Sequence, residues 1–64
     1  MSLTQAQIRR IEYLLGQESQ KKANRILSTV ESFVSWLRDA ASDLWWSIKD
    51  VVRRVWDEIV DFFS

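Results

Sequence analysis

The sequence predicts an all-α protein: a helical hairpin with a short helix at about residues 4–15 and a long helix at about residues 20–63. Three observations predict this class. The 64 residues contain no proline and a single glycine, Gly16. No segment alternates polar and apolar side chains for long enough to form a strand. From Ile26 onwards, apolar residues recur with a period of eleven, which is a helical spacing.

The first helix has a clear sequence signal at its start. Thr4 and Gln7 have the spacing of a capping box, in which each residue bonds to the backbone of the other. We expect Gly16 to end this helix in the left-handed conformation. The polar residues 16–20 then form a turn, and Ser19 is a candidate N-cap for the second helix. The apolar face of the first helix consists of Ile8, Ile11, Leu14 and Leu15.

The long helix rests on an internal repeat. Written in elevens from residue 26, the chain reads ILSTVESFVSW, LRDAASDLWWS, IKDVVRRVWDE and IVDFFS. Positions one, four, five, eight and nine of this unit are apolar, with Thr29 the only exception. These positions fall within an arc of about 140° on an α-helix, and eleven residues complete three turns. The repeat therefore predicts one uninterrupted helix of roughly 60 Å.

One continuous helix over the whole chain is the alternative to the hairpin. Part of the first apolar face is in phase with the repeat. A continuous helix, however, places Glu18, Ser19 and Lys22 on the apolar stripe, and burying charged side chains without partners is costly. The hairpin is therefore favoured.

The hairpin leaves most of the apolar stripe uncovered. A first helix of about 18 Å reaches only the first turns of the second helix, and each large apolar side chain buried is worth about 1.5–3 kcal/mol. We therefore expect a homo-oligomer, a dimer or tetramer, in which the long helices pair antiparallel in a bundle or coiled coil. This pairing brings Lys21, Lys22 and Arg25 beside the acidic last turn of a partner. The predicted oligomer interface consists of Leu37, Leu44, Trp45, Ile48, Val51, Val52, Val55, Trp56, Ile59, Phe62 and Phe63.

Two tryptophans lie outside the stripe. Trp46 falls near the middle of the polar face, and Trp36 falls at its edge. Scattered exposed aromatic side chains are normal, but tryptophan is also enriched at interface hot spots. Trp36 and Trp46 are therefore candidates for a second contact surface.

The composition argues against catalysis and against metal or cofactor binding. The chain has no cysteine and no histidine, which removes the usual nucleophiles, bases and transition-metal ligands. The carboxylate pairs Asp39/Asp43 and Asp57/Asp61 are better interpreted as a solvated acidic face. Residues 1–25 carry five basic and two acidic side chains, and residues 26–64 carry four and seven. The zero net charge argues against nucleic-acid binding.

The eleven-residue amphipathic period over residues 26–63, with its Trp- and Phe-rich apolar face, resembles the lipid-binding repeats of exchangeable apolipoproteins and synucleins. The resemblance lies in the period and implies a helix that lies on a membrane surface. Against this reading, residues 26–64 are net acidic, whereas helices that bind lipid surfaces are usually basic.

Taken together, these features predict one domain, residues 1–64, with no signal peptide and no membrane span. The expected function is that of a cytoplasmic oligomerisation or adaptor protein, which binds itself and another protein through its long amphipathic helix. The alternative is a peripheral protein that binds a membrane surface.

Overall fold

The computed structural model describes residues 3–63, and within this range the chain is all-α, as predicted. Its five helices are α1 (Gln5–Gly16), α2 (Gln20–Ile26), α3 (Val30–Ala40), α4 (Ser42–Ile48) and α5 (Trp56–Phe63). They fold into a body of 27 × 22 × 20 Å. The helices therefore surround a common core instead of extending along one axis.

The start of α1 is the predicted capping box. The backbone N–H of Gln7 donates to the Thr4 hydroxyl at 3.1 Å, and the backbone N–H of Thr4 donates to the Gln7 side chain at 2.9 Å. Ser19 caps α2, as predicted, by accepting from the backbone N–H of Lys22 at 3.2 Å. The expected left-handed Gly16 is wrong, because no described glycine has a positive φ. The chain leaves α1 through Gln17 in a right-handed conformation, and the Ser19 cap starts the next helix.

The predicted continuous helix over residues 20–63 is wrong. The longest dimension of the molecule, 27 Å, is less than half the length that such a helix needs. The first break lies before α3, where Thr29 is extended (φ −142°, ψ 157°) and its hydroxyl accepts from the backbone N–H of Ser32 at 3.0 Å. Thr29 is also the one polar residue in the apolar stripe. Its side chain therefore caps a new helix where the repeat predicted an apolar contact.

The second break is a corner at Ala41 (φ −155°, ψ 79°) between α3 and α4. No side chain caps the start of α4. The backbone of Ala41 is nevertheless fully bonded: its N–H donates to the carbonyl of Leu37 at 2.8 Å, and its carbonyl accepts from the N–H of Trp45 at 3.0 Å. Ala41 is buried, so the bend turns both helices toward the core. In the third break, residues 49–55 form turns instead of a regular helix.

The first and eighth positions of the repeat nevertheless identify buried side chains correctly, whereas its fourth position is exposed or only half-buried. Residues at its first position, Ile26, Leu37, Ile48 and Ile59, are all at most 4% exposed. The eighth position, Phe33, Leu44 and Val55, is buried too. The ring of Phe33 lies at the centre, 5.8 Å from Trp36 and 5.3 Å from Trp56 between centroids. Each short helix thus directs the same face of the repeat inward, and the bends bring these faces together.

Candidate contact surface

The predicted oligomer interface lies largely inside the protein. Six of its residues are buried: Leu37, Leu44, Ile48, Val52, Val55 and Ile59. Four are partly buried: Trp45, Val51, Trp56 and Phe63. Phe62 alone is 50% exposed. A single chain therefore does not leave this stripe in water, contrary to expectation, because the three breaks allow the chain to cover most of it.

A seam of polar contacts joins α1 to α4. The guanidinium of Arg10 donates two hydrogen bonds to the carboxylate of Asp43, one of them 3.0 Å long between Nη2 and Oδ1. Nearby, the side-chain amide of Gln7 donates to the Ser47 hydroxyl at 3.3 Å. Gln7 thus contacts Ser47, whereas Arg10, three residues later on α1, contacts Asp43, four residues earlier on α4. The two helices therefore run antiparallel along this seam.

The ion pair across the seam shifts the pKa values of both partners. Hydrogen bonding to Arg10 lowers the pKa of Asp43, and the Asp43 carboxylate raises the pKa of Arg10. Both side chains remain accessible to water, 48% and 69% exposed. Such an ion pair contributes little to stability, but its two-point geometry favours one relative orientation of the two side chains.

The outer side of this seam carries two large exposed aromatic side chains. Tyr13 is 66% exposed and Trp46 is 67% exposed. Each follows one member of the ion pair by three residues, so each lies beside that pair on its helix. Tyr13 is also about 200° around α1 from the buried Ile11. We call this surface the aromatic face; it comprises Tyr13, Trp46, Arg10 and Asp43.

Lysine and acidic groups border the aromatic face. The ammonium of Lys49 lies 5.5 Å from the centre of the Trp46 ring, within the range of a cation–π contact. Lys49 also pairs with Asp50 at 3.1 Å. The face therefore combines two exposed aromatic rings with charges of both signs, and the ion pair lies between the rings.

Trp36, the other predicted surface tryptophan, is placed differently. Its indole N–H donates to a carboxylate oxygen of Glu18 at 3.0 Å, and this bond is the main reason that the pKa of Glu18 is lowered. The half-buried ring forms part of a groove between α2 and α3 of about 660 Å³. Trp36 and Trp46 thus belong to different features of the surface.

The groove between α2 and α3 has charged walls. Lys22 pairs with Glu18 at 3.4 Å, and Glu31 pairs with Arg53 at 3.1 Å. The bond from Arg53 lowers the pKa of Glu31. The groove is lined by Glu18, Lys22, Arg25, Ile26, Glu31, Ser32, Ser35, Trp36, Asp39 and Ala40.

The part of the chain that the structure describes holds neither a metal-binding cluster nor a membrane-spanning helix. Among residues 3–63, no group of acidic side chains is arranged to hold a metal ion. No helix in that range combines the length and the apolar character needed to cross a membrane. The chain matches no protein-family model, and no curated protein or solved structure is significantly similar to it.

Sequence reasoning missed two components of the aromatic face. Tyr13 lies opposite the apolar side of α1, and this position was visible in the helical spacing. The pairing of Arg10 with Asp43 was not visible, because 33 residues separate them. Only the folding of α1 against α4 brings these residues together.

Proposed function

We propose that this protein is a small non-enzymatic adaptor that acts through protein–protein contacts, and that the aromatic face is its contact surface. The observation that supports the proposal is the exposure of Tyr13 and Trp46, at 66% and 67%, on the outer side of one helix pair. Tyrosine, tryptophan and arginine are the residues most enriched at the centres of protein interfaces. A single exposed aromatic residue is ordinary, whereas here two flank one bidentate ion pair, one on either side of it along the antiparallel seam.

The charges around the face favour a protein over a lipid surface. Binding to anionic lipid requires an excess of basic side chains. Here Arg10 is paired with Asp43, and Lys49 is paired with Asp50. Paired charges of both signs beside aromatic rings are typical of protein interfaces, in which aromatic residues and arginine are enriched. Membrane binding is therefore the alternative that the experiment must separate.

Self-association belongs to the same proposal. In the assembled state, we propose that helices of two or more copies pack antiparallel as a bundle. The short helices of the structure take the place of the long helix that the repeat predicted. The opposite charges of the N-terminal and C-terminal parts of the chain support antiparallel packing. A cytoplasmic location, which the lack of cysteine suits, completes the proposal.

Site-specific photo-cross-linking tests the aromatic face. A photoreactive residue is placed at position 46, and the matched control carries it at position 38, which is also exposed on a helix. We expect the photoreactive residue to form adducts of defined protein mass at position 46 only. Excess parent protein should suppress these adducts, whereas excess Trp46→Glu protein should not. Equal adducts at both positions contradict the proposal.

Vesicle sedimentation provides the second arm of this test. The parent protein and Trp46→Glu are mixed with vesicles of neutral phosphatidylcholine and with vesicles that also contain anionic phosphatidylserine. We expect both proteins to remain in the supernatant. Sedimentation of the parent alone assigns the aromatic face to a membrane and overturns the adaptor proposal.

A further inference from the structure

Two helices on the surface carry opposite charges that the fold leaves unpaired. Helix α2 has basic but no acidic side chains, and Lys21 and Arg25 lie four residues apart on it. Helix α5 has acidic but no basic side chains, and Asp57 and Asp61 lie four residues apart on it. All four side chains are exposed, and none makes an ion pair within residues 3–63. We call Lys21 and Arg25 the basic patch, and Asp57 and Asp61 the acidic patch.

Neither patch is neutralised by its neighbours in sequence. The two arginines that precede α5 are directed elsewhere: Arg53 bonds to Glu31, and Arg54 donates to the backbone carbonyl of Asp50 at 3.4 Å. Within α2, Lys22 is already paired with Glu18. Within residues 3–63, no ion pair therefore compensates the charges of the two patches.

The helix dipole disfavours one residue of each patch and favours the other, because Arg25 lies in the last turn of α2 and Asp57 in the first turn of α5. Lys21 lies in the first turn of α2, where the helix end is partly positive, and no acidic residue is present in that turn. Asp61 lies in the last turn of α5, where the helix end is partly negative, and no basic residue is present there. A partner of opposite charge relieves the repulsion at both places.

Apolar groups accompany each patch. Phe62 lies next to the acidic patch, is 50% exposed, and contacts Phe63 edge-on at 4.9 Å between ring centroids. Arg25 of the basic patch lines the groove between α2 and α3, where Ile26 and Trp36 supply apolar surface. The exposed phenyl ring therefore has apolar groove surface to contact beside the basic patch.

We infer that two copies of this chain pair reciprocally, with α5 of one copy docked against α2 of the other. The charged residues of both patches have the same i, i+4 spacing, about 6 Å along a helix, so Asp57 and Asp61 are in register with the basic patch of the second copy. Phe62 then enters the groove. Because each copy presents both patches, the contact forms twice and closes as a two-fold dimer.

One acidic side chain in the groove limits the docking position. Asp39 lines the α3 wall and has no ion-pair partner among residues 3–63. It repels an acidic helix, whereas Glu18 and Glu31 are already neutralised. The docked α5 therefore lies on the α2 side of the groove, whose lining includes no residue of the aromatic face.

Charge reversal of each patch tests this pairing on the full chain. Lys21→Glu/Arg25→Glu and Asp57→Lys/Asp61→Lys are each studied by sedimentation velocity, alone and as an equimolar mixture. Arg9→Glu/Arg38→Glu changes the net charge as much as the first variant and touches neither patch. Circular dichroism verifies that every variant is folded.

We expect the parent and the control to dimerise and each patch variant alone to associate at least about tenfold more weakly, because attractive pairs become repulsive. The equimolar mixture should form dimers again, because the reversed basic patch of one variant then faces the reversed acidic patch of the other. Added salt weakens the parent dimer, since the patches are exposed to solvent.

Other outcomes overturn the pairing. These are a parent that remains monomeric at millimolar concentration, a dimer unaffected by either reversal, and a mixture that does not associate. A parent dimer that only Trp46→Glu dissociates also overturns it, and leaves the proposed role of the aromatic face in place.

Discussion

The guanidinium of Arg10 and the carboxylate of Asp43 form a two-point ion pair that aligns α1 antiparallel to α4. We expect reversal of either charge, Arg10→Asp or Asp43→Arg, to lower the melting temperature, because it places like charges together. The exchanged double variant should recover most of that loss. Thermal unfolding followed by circular dichroism measures all four proteins. Additive losses in the double variant would show that the pair does not act as a unit.

Phe33 is fully buried between Trp36 and Trp56, so its removal leaves a cavity at the centre of the core. We expect Phe33→Ala to cost about 3–5 kcal/mol, which is comparable to the whole stability of a small domain. Phe62→Ala is the matched control, because that ring is half exposed. Urea unfolding measures both, and equal losses would contradict the described core.

Thr29 interrupts the apolar stripe and caps α3. We expect Thr29→Ala to destabilise the protein by about 0.5–2 kcal/mol without lengthening the helices, because burial of the core also holds the bend. Ser35→Ala, on the exposed side of α3, is the control. Denaturant unfolding and far-ultraviolet circular dichroism provide the measurements. A gain in helix content would instead show that the Thr29 cap alone prevents a longer helix.

Trp46 lies on the surface, whereas Trp56 packs against the core. We expect Trp46→Ala to change the free energy of unfolding by no more than about 0.5 kcal/mol. Trp56→Ala should cost about 2–3 kcal/mol, because its ring contacts Phe33. Urea unfolding compares the two variants. A large loss for Trp46→Ala would show that this ring serves the fold and would weaken its assignment to a contact surface.

Three carboxyl groups have lowered pKa values in the folded state: Glu18 bonded to Trp36, Glu31 to Arg53, and Asp43 to Arg10. These carboxyl groups contribute their full stabilisation at a pH above their usual pKa values, which are 3.8 for Asp and 4.5 for Glu. It is lost as the pH falls through the lowered values. As the pH is lowered from about 6 to about 2, the melting temperature should therefore fall less for Glu18→Gln/Glu31→Gln/Asp43→Asn than for the parent. Parallel curves would contradict these shifts.

Local signals predicted the start of the fold correctly. The Thr4–Gln7 capping box and the Ser19 cap depend on residues three positions apart, so the sequence contains everything that they require. A similar signal was present at Thr29, where a threonine precedes an acidic residue and a serine. The regular apolar period around Thr29 nevertheless predicted a continuous helix there. The corner at Ala41 had no such signal, because alanine is the best helix-forming residue.

The candidate contact surface was predicted only in part. The helical spacing placed Trp46 on the solvent side, and the structure places it there. It did not indicate that Tyr13 shares that side, since their proximity to one ion pair depends on how α1 meets α4. Ten of the eleven residues predicted to form an oligomer interface lie in the core or against it, because a helical period identifies an inward face without stating what covers it.

The sequence by itself determined the helical class, the first two caps and the identity of the side chains that avoid water, because these properties depend on near neighbours and on a fixed helical period. The tertiary structure decided where the helices bend, which segment covers the apolar stripe and which polar residues pair across the surface. Folding back at the breaks buries the stripe within one chain. The free energy of that burial comes from contacts between segments far apart in sequence, which no local pattern encodes.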